Sequence, residues 1–401
     1  MALIYNATFD KTTRKLSFED RAGNEIYSFT VPERGPAVDD LTKPLTFKAI
    51  KDGSIVSLWK HKYCNGDFQT SRDGGKTWED YTLGTDITLN TGDEVSFRVK
   101  KDRSPEQYAI YPCKFEIRRG KIEAWHNVMS MYRKDDFATY DTAVGSVFAY
   151  LFENCASLTK APVLPATKLN DSCYYYMFSG CQSLTKAPEL PATTLAKNCY
   201  EFMFSGCKSL IKAPELPATT ITNGCYSCYS SMFSGCQSLT KAPELPATTL
   251  ANGCYSYMFD GCLSLTKAPE LPATTLASDC YKCMFRDCRS LTKAPELPAT
   301  TLTINCYESM FRGCQSLTKA PVLPATTLTK NCYYGMFQIC QSLKEVRISA
   351  TTTAQNALID WLSGVSATGD FYCDPNSTIF PTSTSGIPEG WTRHNIADYP
   401  N

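Results

Sequence analysis

Residues 236–261 read CQSLTKAPELPATTLANGCYSYMFDG, and the pattern CxSLTKAPELPATTLxxxCYxxMFxx is written eight times between residues 155 and 342. Its first cysteine falls at Cys155, Cys181, Cys207, Cys236, Cys262, Cys288, Cys314 and Cys340, in steps of 26 residues with one of 29. A fixed period of this size belongs to solenoids, propellers and arrays. A propeller blade needs four strands, which 26 residues carrying two or three prolines cannot supply, whereas one coil of a solenoid fits. With the cysteine as position zero, apolar residues stand at +3 (Leu184), +6 (Ala187), +9 (Leu190), +14 (Leu195), +18 (Cys199), +22 (Met203) and +23 (Phe204). These should face inward and stack on their copies at the strand spacing of ~4.8 Å. The prolines at +7 and +10 cannot donate ladder hydrogen bonds, so strand pairing should be confined to about residues 183–187.

The order of cysteine, leucine at +3, an apolar residue at +6, Leu-Pro, an apolar pair and a closing cysteine resembles the leucine-rich repeats of BspA-like and Treponema-type surface proteins. That family's coil ends in IGxxAFxxC and is about three residues shorter; here residues 254–262 read CYSYMFDGC, with Cys254 at the inward isoleucine position and Met258-Phe259 at Ala-Phe. The resemblance covers about half of the chain. It implies a binding scaffold, an adhesin or a host-contact protein, and carries over no catalytic residue.

Forty basic and forty acidic residues cancel, so no net field favours nucleic acid or an anionic membrane, and no apolar run is long enough to insert into one. The opening MALIYNATFDKTTRK does not read as a secretory signal, so synthesis and folding in a cytoplasm are expected. Twenty cysteines would suggest a disulfide framework in a small secreted chain, but fifteen of them fill the two inward columns, where cysteine acts as a small buried hydrophobe. Their parallel Cβ vectors disfavour disulfides. The pairs Cys225/Cys228 and Cys280/Cys283 have zinc-ligand spacing but lie two coils apart, so reduced thiols and no metal or other cofactor are expected.

Outside the repeats the chain reads as mainly β. Residues 1–34 alternate in three short runs, a β-meander expected to serve as an attachment module, and residues 35–44 form a linker. Residues 45–127 hold strand runs punctuated by DGS, CNGD, DGGK and NTGD, the spacing of an Ig-like β-sandwich. They also resemble β-domains that precede such repeats in proteins of gut bacteria and their phages. Within them Ser71, Asp73, Gly75 and Trp78 match SxDxGxTW, the Asp-box hairpin of sialidase-like propellers; a single copy reads as a structural turn. Residues 128–154 end in YLFENC, a degenerate repeat, and should cap the solenoid of residues 155–343. In the C-terminal cap, residues 344–401, KEVRIS should be a strand and ALIDWL a short helix, with Trp361 and Trp391 sealing the last coil.

No catalytic motif emerges around His61, His126 or His394, and a glycosidase reading would hang on the Asp-box alone. Lysine holds +5 in seven coils and glutamate +8 in the middle five, which suits a solvated face. Tyrosine at +19 (Tyr174, Tyr200, Tyr226, Tyr255, Tyr281, Tyr307, Tyr333) suits both a half-buried outer layer, packed as a column with its hydroxyls reaching water, and a sugar- or protein-binding strip, the packed column being preferred. Variation gathers at +16, +17, +20, +21, +24 and +25, so contact residues are expected among Tyr175, Tyr176, Phe202, Tyr257 and Tyr334. The sequence thus predicts a non-enzymatic phage virion protein of fibre or decoration type. Its N-terminal module would join other virion proteins, as a homo-oligomer, and its solenoid would meet a host surface protein or glycan. A bacterial cell-surface adhesin is the alternative.

Overall fold

The computed structural model describes residues 6–10, 15–19, 25–30, 39–60, 67–103 and 113–399; His61, most of the CNGD turn and the first part of the expected linker lie outside the described residues. The chain divides into two compact units, Met1–Asp40 and Leu41–Asn401. In the first, β1 (Asn6–Asp10), β2 (Lys15–Glu19) and β3 (Glu25–Thr30) form an antiparallel sheet in chain order, the predicted meander.

The second unit begins with β4 (Thr46–Ala49), β5 (Ser54–Trp59), β6 (Phe68–Ser71), β7 (Glu79–Tyr81), β8 (Ile87–Leu89), β9 (Glu94–Val99), β10 (Lys114–Arg119) and β11 (Ile122–Trp125). Two sheets result: β10-β5-β8, and a larger one built on β11-β4-β9-β6-β7. Their inward residues alternate along the strands and meet in an aromatic knot, with Phe115 4.6 Å from Phe47 and 5.1 Å from Phe97, ring centre to ring centre. Cys113, just before β10, is disulfide-bonded, which corrects the reduced-thiol expectation at that position.

The sandwich runs into the solenoid without a break. After β12 (Thr142–Ala143), the first repeat contributes β13 (Leu158–Lys160), which pairs parallel with β11 and extends the larger sheet to six strands; β14 (Lys168–Leu169) pairs with β12. Phe115 stacks on Phe152 at 5.5 Å, and Phe152 on Phe178 at 5.3 Å. From there Phe204, Phe233, Phe259, Phe285, Phe311 and Phe337 continue the ladder at 5.6–5.8 Å per coil.

Strand structure contributes less to the coils than their sequence suggests. Between neighbouring coils, pairing on the lysine side shrinks to single bridges such as Lys186↔Lys212 and Lys241↔Lys267, because the following prolines end it. The segment CYxxMFxxC instead forms a staircase of overlapping turns. Met177 N–H bonds Tyr174 O within its own coil (3.1 Å), Phe178 N–H bonds Met203 O of the next (2.9 Å), and the alternation continues: Ser179 to Tyr176, Gly180 to Ser205. Every second amide closes a turn and every second one joins two coils, so the backbone is satisfied without helix or strand. The geometry places each fourth residue, at +17, +21 and +25, in the left-handed region: Ser172, Tyr176 and Gly180 in one coil, Asn198, Phe202 and Gly206 in the next. At Gly206 and the equivalent Gly235 the reason for glycine is the positive φ of 72°, since a Cβ on Gly235 would lie at an ordinary 3.6 Å from the Gly206 Cα.

The same staircase explains the cysteine at position zero. Phe152 O accepts the Cys155 N–H at 3.0 Å and the Cys181 S–H at 3.1 Å, and the thiol contact repeats from Cys207 to Phe178 through Cys340 to Phe311. The thiol thus fills a small core site while donating to the carbonyl's second lone pair, which an alanine cannot do. Among the described residues eighteen cysteines are free and buried.

Three expectations are corrected here. The +19 tyrosines are core, about 1% exposed and stacked at 5.7–6.1 Å from Tyr174 to Tyr333. In the 29-residue coil the column is filled by Tyr229; residues 222–224 form an extra turn, closed by Cys225 N–H to Thr222 O, and push Tyr226 outward to 40% exposure. ALIDWL is no helix but one more staircase, its Phe337 N–H to Trp361 O bond repeating the coil-to-coil pattern, so the solenoid has about 10 turns. Trp361 lies over both ladders, 6.4 Å from Tyr333 and from Phe337, and its indole N–H bonds Gly386 O. The end is closed by a parallel sheet of β15 (Glu345–Arg347), β16 (Gly369–Cys373) and β17 (Trp391–Asn395).

Candidate functional site

Among the described residues no group of histidine, cysteine or carboxylate side chains is arranged to hold a metal ion, and no helix is long and apolar enough to cross a membrane. The inner thiols are chemically quiet: burial pushes Cys199, Cys207, Cys254 and Cys340 up to about 12, leaving them protonated at neutral pH. The Asp-box residues are consumed by their own turn. Ser71 Oγ accepts the Gly75 N–H (2.8 Å), Asp73 accepts the Lys76 and Thr77 N–H groups (3.0 Å each), and the Trp78 indole N–H donates to Gly75 O (3.0 Å). These bonds, the Thr77 hydroxyl first, hold the Asp73 carboxyl well below the usual range. Trp78 carries the Arg98 guanidinium 4.1 Å over its ring.

The outer edge of the staircase is different. Positions +20 and +21 form the layer outside the core filled by +19, +22 and +23; most of their large side chains are half-buried, while Ser230, Ser231, Ser256, Cys283 and Ser309 lie deeper, 3–7% exposed. At the sandwich end +21 is an aromatic column: Tyr150 stacks on Tyr176 at 5.4 Å, and Tyr176 on Phe202 at 4.4 Å, with Tyr175 edge-on to Tyr176 at 4.6 Å. Burial raises Tyr150 and Tyr175 to about 12, so both are neutral phenols. The column then breaks at Ser231 and resumes at Tyr257, whose ring carries Arg286 at 5.1 Å; Arg286 is locked by two bonds to Asp260, at 2.8 and 2.7 Å.

The break opens a groove of about 650 Å³, within the size range of ligand sites. Phe202 and Tyr257 face it from opposite ends, with Ser230, Ser231 and Ser256 beneath and Tyr226, Ser227 and Asn252 alongside. Charge enters at the rims. Glu201 is half-buried, and desolvation lifts its carboxyl to about 7 against the opposing pull of Lys197. At the far rim Lys282 pairs with Glu308 at 3.2 Å and with Asp279 at 3.9 Å.

Of the sequence-predicted contact residues, Tyr175, Tyr176 and Phe202 form one cluster and Tyr257 faces it across the groove. Tyr334 stands apart, 36% exposed, three coils beyond Tyr257. Sequence reasoning missed Tyr150, Glu201, Tyr226 and the serine floor. A signal was present: the aromatic run at +21 is interrupted at Ser231 in the same coil that carries the three extra residues. The +5 lysines after the half-buried Lys160 and the +8 glutamates are exposed, and at the solenoid's end Lys319 pairs with Glu345 at 2.8 Å.

No curated protein and no solved structure matches the chain. A family model described as the BspA type leucine-rich repeat region matches it in overlapping spans, residues 145–281, 212–335 and 254–359. These spans cover more than half of the sequence and coincide with the staircase coils; the chain belongs to the BspA-type leucine-rich repeat family.

Proposed function

We propose that this chain is a non-enzymatic recognition protein that presents the outer edge of its solenoid to a host-surface protein or glycan, and that its N-terminal sheet fixes it, as a homo-oligomer, to other proteins of a phage particle. The observation that carries the reading is the contrast between columns. Inner positions repeat coil after coil, while +20 and +21 vary along the stack and open a groove walled by aromatic rings. A repetitive surface fits only a repetitive partner, whereas a varied one encodes a shape. Two features support the particle. The first forty residues are compact by themselves, as an attachment module would be, and eighteen buried free thiols suit folding in a reducing cytoplasm before release. A bacterial surface adhesin is the second reading, favoured equally by the repeat family and using the same edge.

Gold-labelled antibody against the solenoid distinguishes the two. Label on purified phage particles is expected, and label confined to bacterial envelopes selects the adhesin. Deleting residues 1–34 should leave a folded second unit that no longer joins the particle. Unchanged incorporation refutes the role given to the N-terminal sheet.

A further inference from the structure

The outer aromatic column lacks one ring. In the inner ladder of the same three coils, Phe204, Phe233 and Phe259 follow at two steps of 5.8 Å. On the outer edge of those coils the sequence is Phe202, Ser231, Tyr257, so the middle ring is replaced by a hydroxymethyl group. Both flanking rings have one face covered and one face open: Phe202 is stacked on Tyr176 behind it, and Tyr257 is backed by Arg286, itself clamped by Asp260. The open faces look onto the groove, and a ring placed in register between them would meet both as Phe233 meets its neighbours.

We infer that this slot between Phe202 and Tyr257 is a binding site for one pyranose ring of a surface glycan. The inference rests on the outer edge being the contact surface. The choice of ligand follows from what surrounds the slot. A pyranose has C–H faces that pack on aromatic rings and a rim of hydroxyls that both donate and accept. The slot offers two ring faces and, around them, Ser227, Ser230, Ser256, Asn252 and the Glu201 carboxyl. An aromatic side chain of a protein partner would fill the same thickness but desolvate the Ser227 and Ser230 hydroxyls and the Glu201 carboxyl without pairing them, although Ser256 already donates to Lys282 O (3.3 Å) and Asn252 already accepts the Ser278 N–H (3.2 Å). A nucleotide would bring phosphates towards the carboxyls of Glu201 and Asp279, and the lysine of the same lining, Lys282, is already paired with Asp279 and Glu308.

The full chain, titrated with methyl glycosides of glucose, galactose, mannose, fucose and N-acetylglucosamine, should show saturation transfer from protein to at least one, with Kd on the order of 1 mM for so small a ligand. Ser231→Tyr restores the missing ring. The same left-handed backbone already carries tyrosine at Tyr176 and Tyr257, so this variant should keep its urea midpoint while binding falls by about tenfold or more. Ser231→Ala should bind as the wild type does. Should Ser231→Tyr fail to fold, Phe202→Ser removes one wall and should give the same loss. The inference is overturned if no pyranoside of the panel binds, if both variants bind like the wild type, or if N-acetyltryptophanamide binds in their place. Adsorption of the wild type to bacterial cells, measured in parallel, tests the outer-edge reading separately: adsorption without pyranoside binding overturns the slot and leaves the edge, and pyranoside binding lost in Ser231→Tyr upholds the slot whatever the cells show.

Discussion

Phe259→Ala and Phe202→Ala, compared in one background, test whether the inner and outer rings do different work. Phe259 is 0% exposed and lies between Phe233 at 5.8 Å and Phe285 at 5.7 Å. Removing its ring forfeits ~2–3 kcal/mol of transfer free energy. It also leaves a void of roughly 100 Å³ that the neighbouring rings cannot fill, because coil-to-coil hydrogen bonds at 2.9–3.0 Å fix their spacing; at ~24 cal/mol per Å³ this adds ~2 kcal/mol. The expected loss is about 4–5 kcal/mol. Phe202 has one stacked neighbour and one open face, and its removal opens to solvent, so only about 1–2 kcal/mol should be lost. Its left-handed backbone suits alanine no better than phenylalanine, so that term cancels. Urea unfolding followed by circular dichroism reads both. Phe259→Ala should lower the midpoint severely and Phe202→Ala slightly, whereas similar losses would place the outer ring in the core and refute the division of roles.

Three further outcomes follow from the same geometry. The folded chain holds the Glu201 proton up to about pH 7 while the unfolded chain releases it near 4.5, so the folded state binds more protons between these values and stability falls as pH rises through that window. Glu201→Gln should match the wild type near pH 4.5 and exceed it above pH 7 by about 1 kcal/mol, solvent screening at this half-buried site discounting the full shift; a difference independent of pH would contradict the assignment. A thiol-reactive dye should label almost no cysteine in the native protein and eighteen after denaturation without reductant, and recovery of most cysteines as disulfides would end the core-thiol account. Charge reversal at Lys241 and Lys267, both exposed, should weaken cell adsorption only in low salt, and loss at all ionic strengths would move the contact surface to the lysine face.

Much of the fold was legible because eight copies average out local accident. Leu at +3, Cys at +18, Met at +22 and Phe at +23 were read as inward and are buried throughout the repeats, from Leu184 and Met203 to Leu317 and Met336. The staircase was not legible, since its signature is neither period 2 nor period 3.6 but a left-handed residue at every fourth position, spelled by Ser, Asn, Asp, Gly and several aromatic residues alike. That omission misplaced the +19 tyrosines: an amphipathic ring beside a variable edge reads as half-buried, whereas the turn geometry aims it inward. Counting forward from the first cysteine likewise chose Tyr226, because sequence alone does not say on which side of Cys225 the extra residues fall. The groove stayed hidden for a related reason. It is made by absent side chains at Ser230, Ser231 and Ser256, and absence becomes a shape only when coils are stacked.

The backbone itself ranks the outer residues. A Cβ at positive φ costs on the order of 1–2 kcal/mol whatever side chain it carries, so in the +21 column Gly335 is the residue free of that cost. Tyr150, Tyr176 and Phe202 stand at φ 59°, 54° and 56° but recover that cost by stacking on one another. Tyr257 holds φ 57° with Ser231 on one side and Cys283 on the other, and among the described residues no ring stacks on it. Its compensation within the chain is a cation contact from the half-buried Arg286, about 0.5–1 kcal/mol, and a hydrogen bond between its hydroxyl and the Cys283 thiol, and neither covers its open face. If the outer edge is the contact surface, as proposed above, Tyr257 is the outer ring with the strongest case for contact, since its strain is the least offset by stacking within the chain.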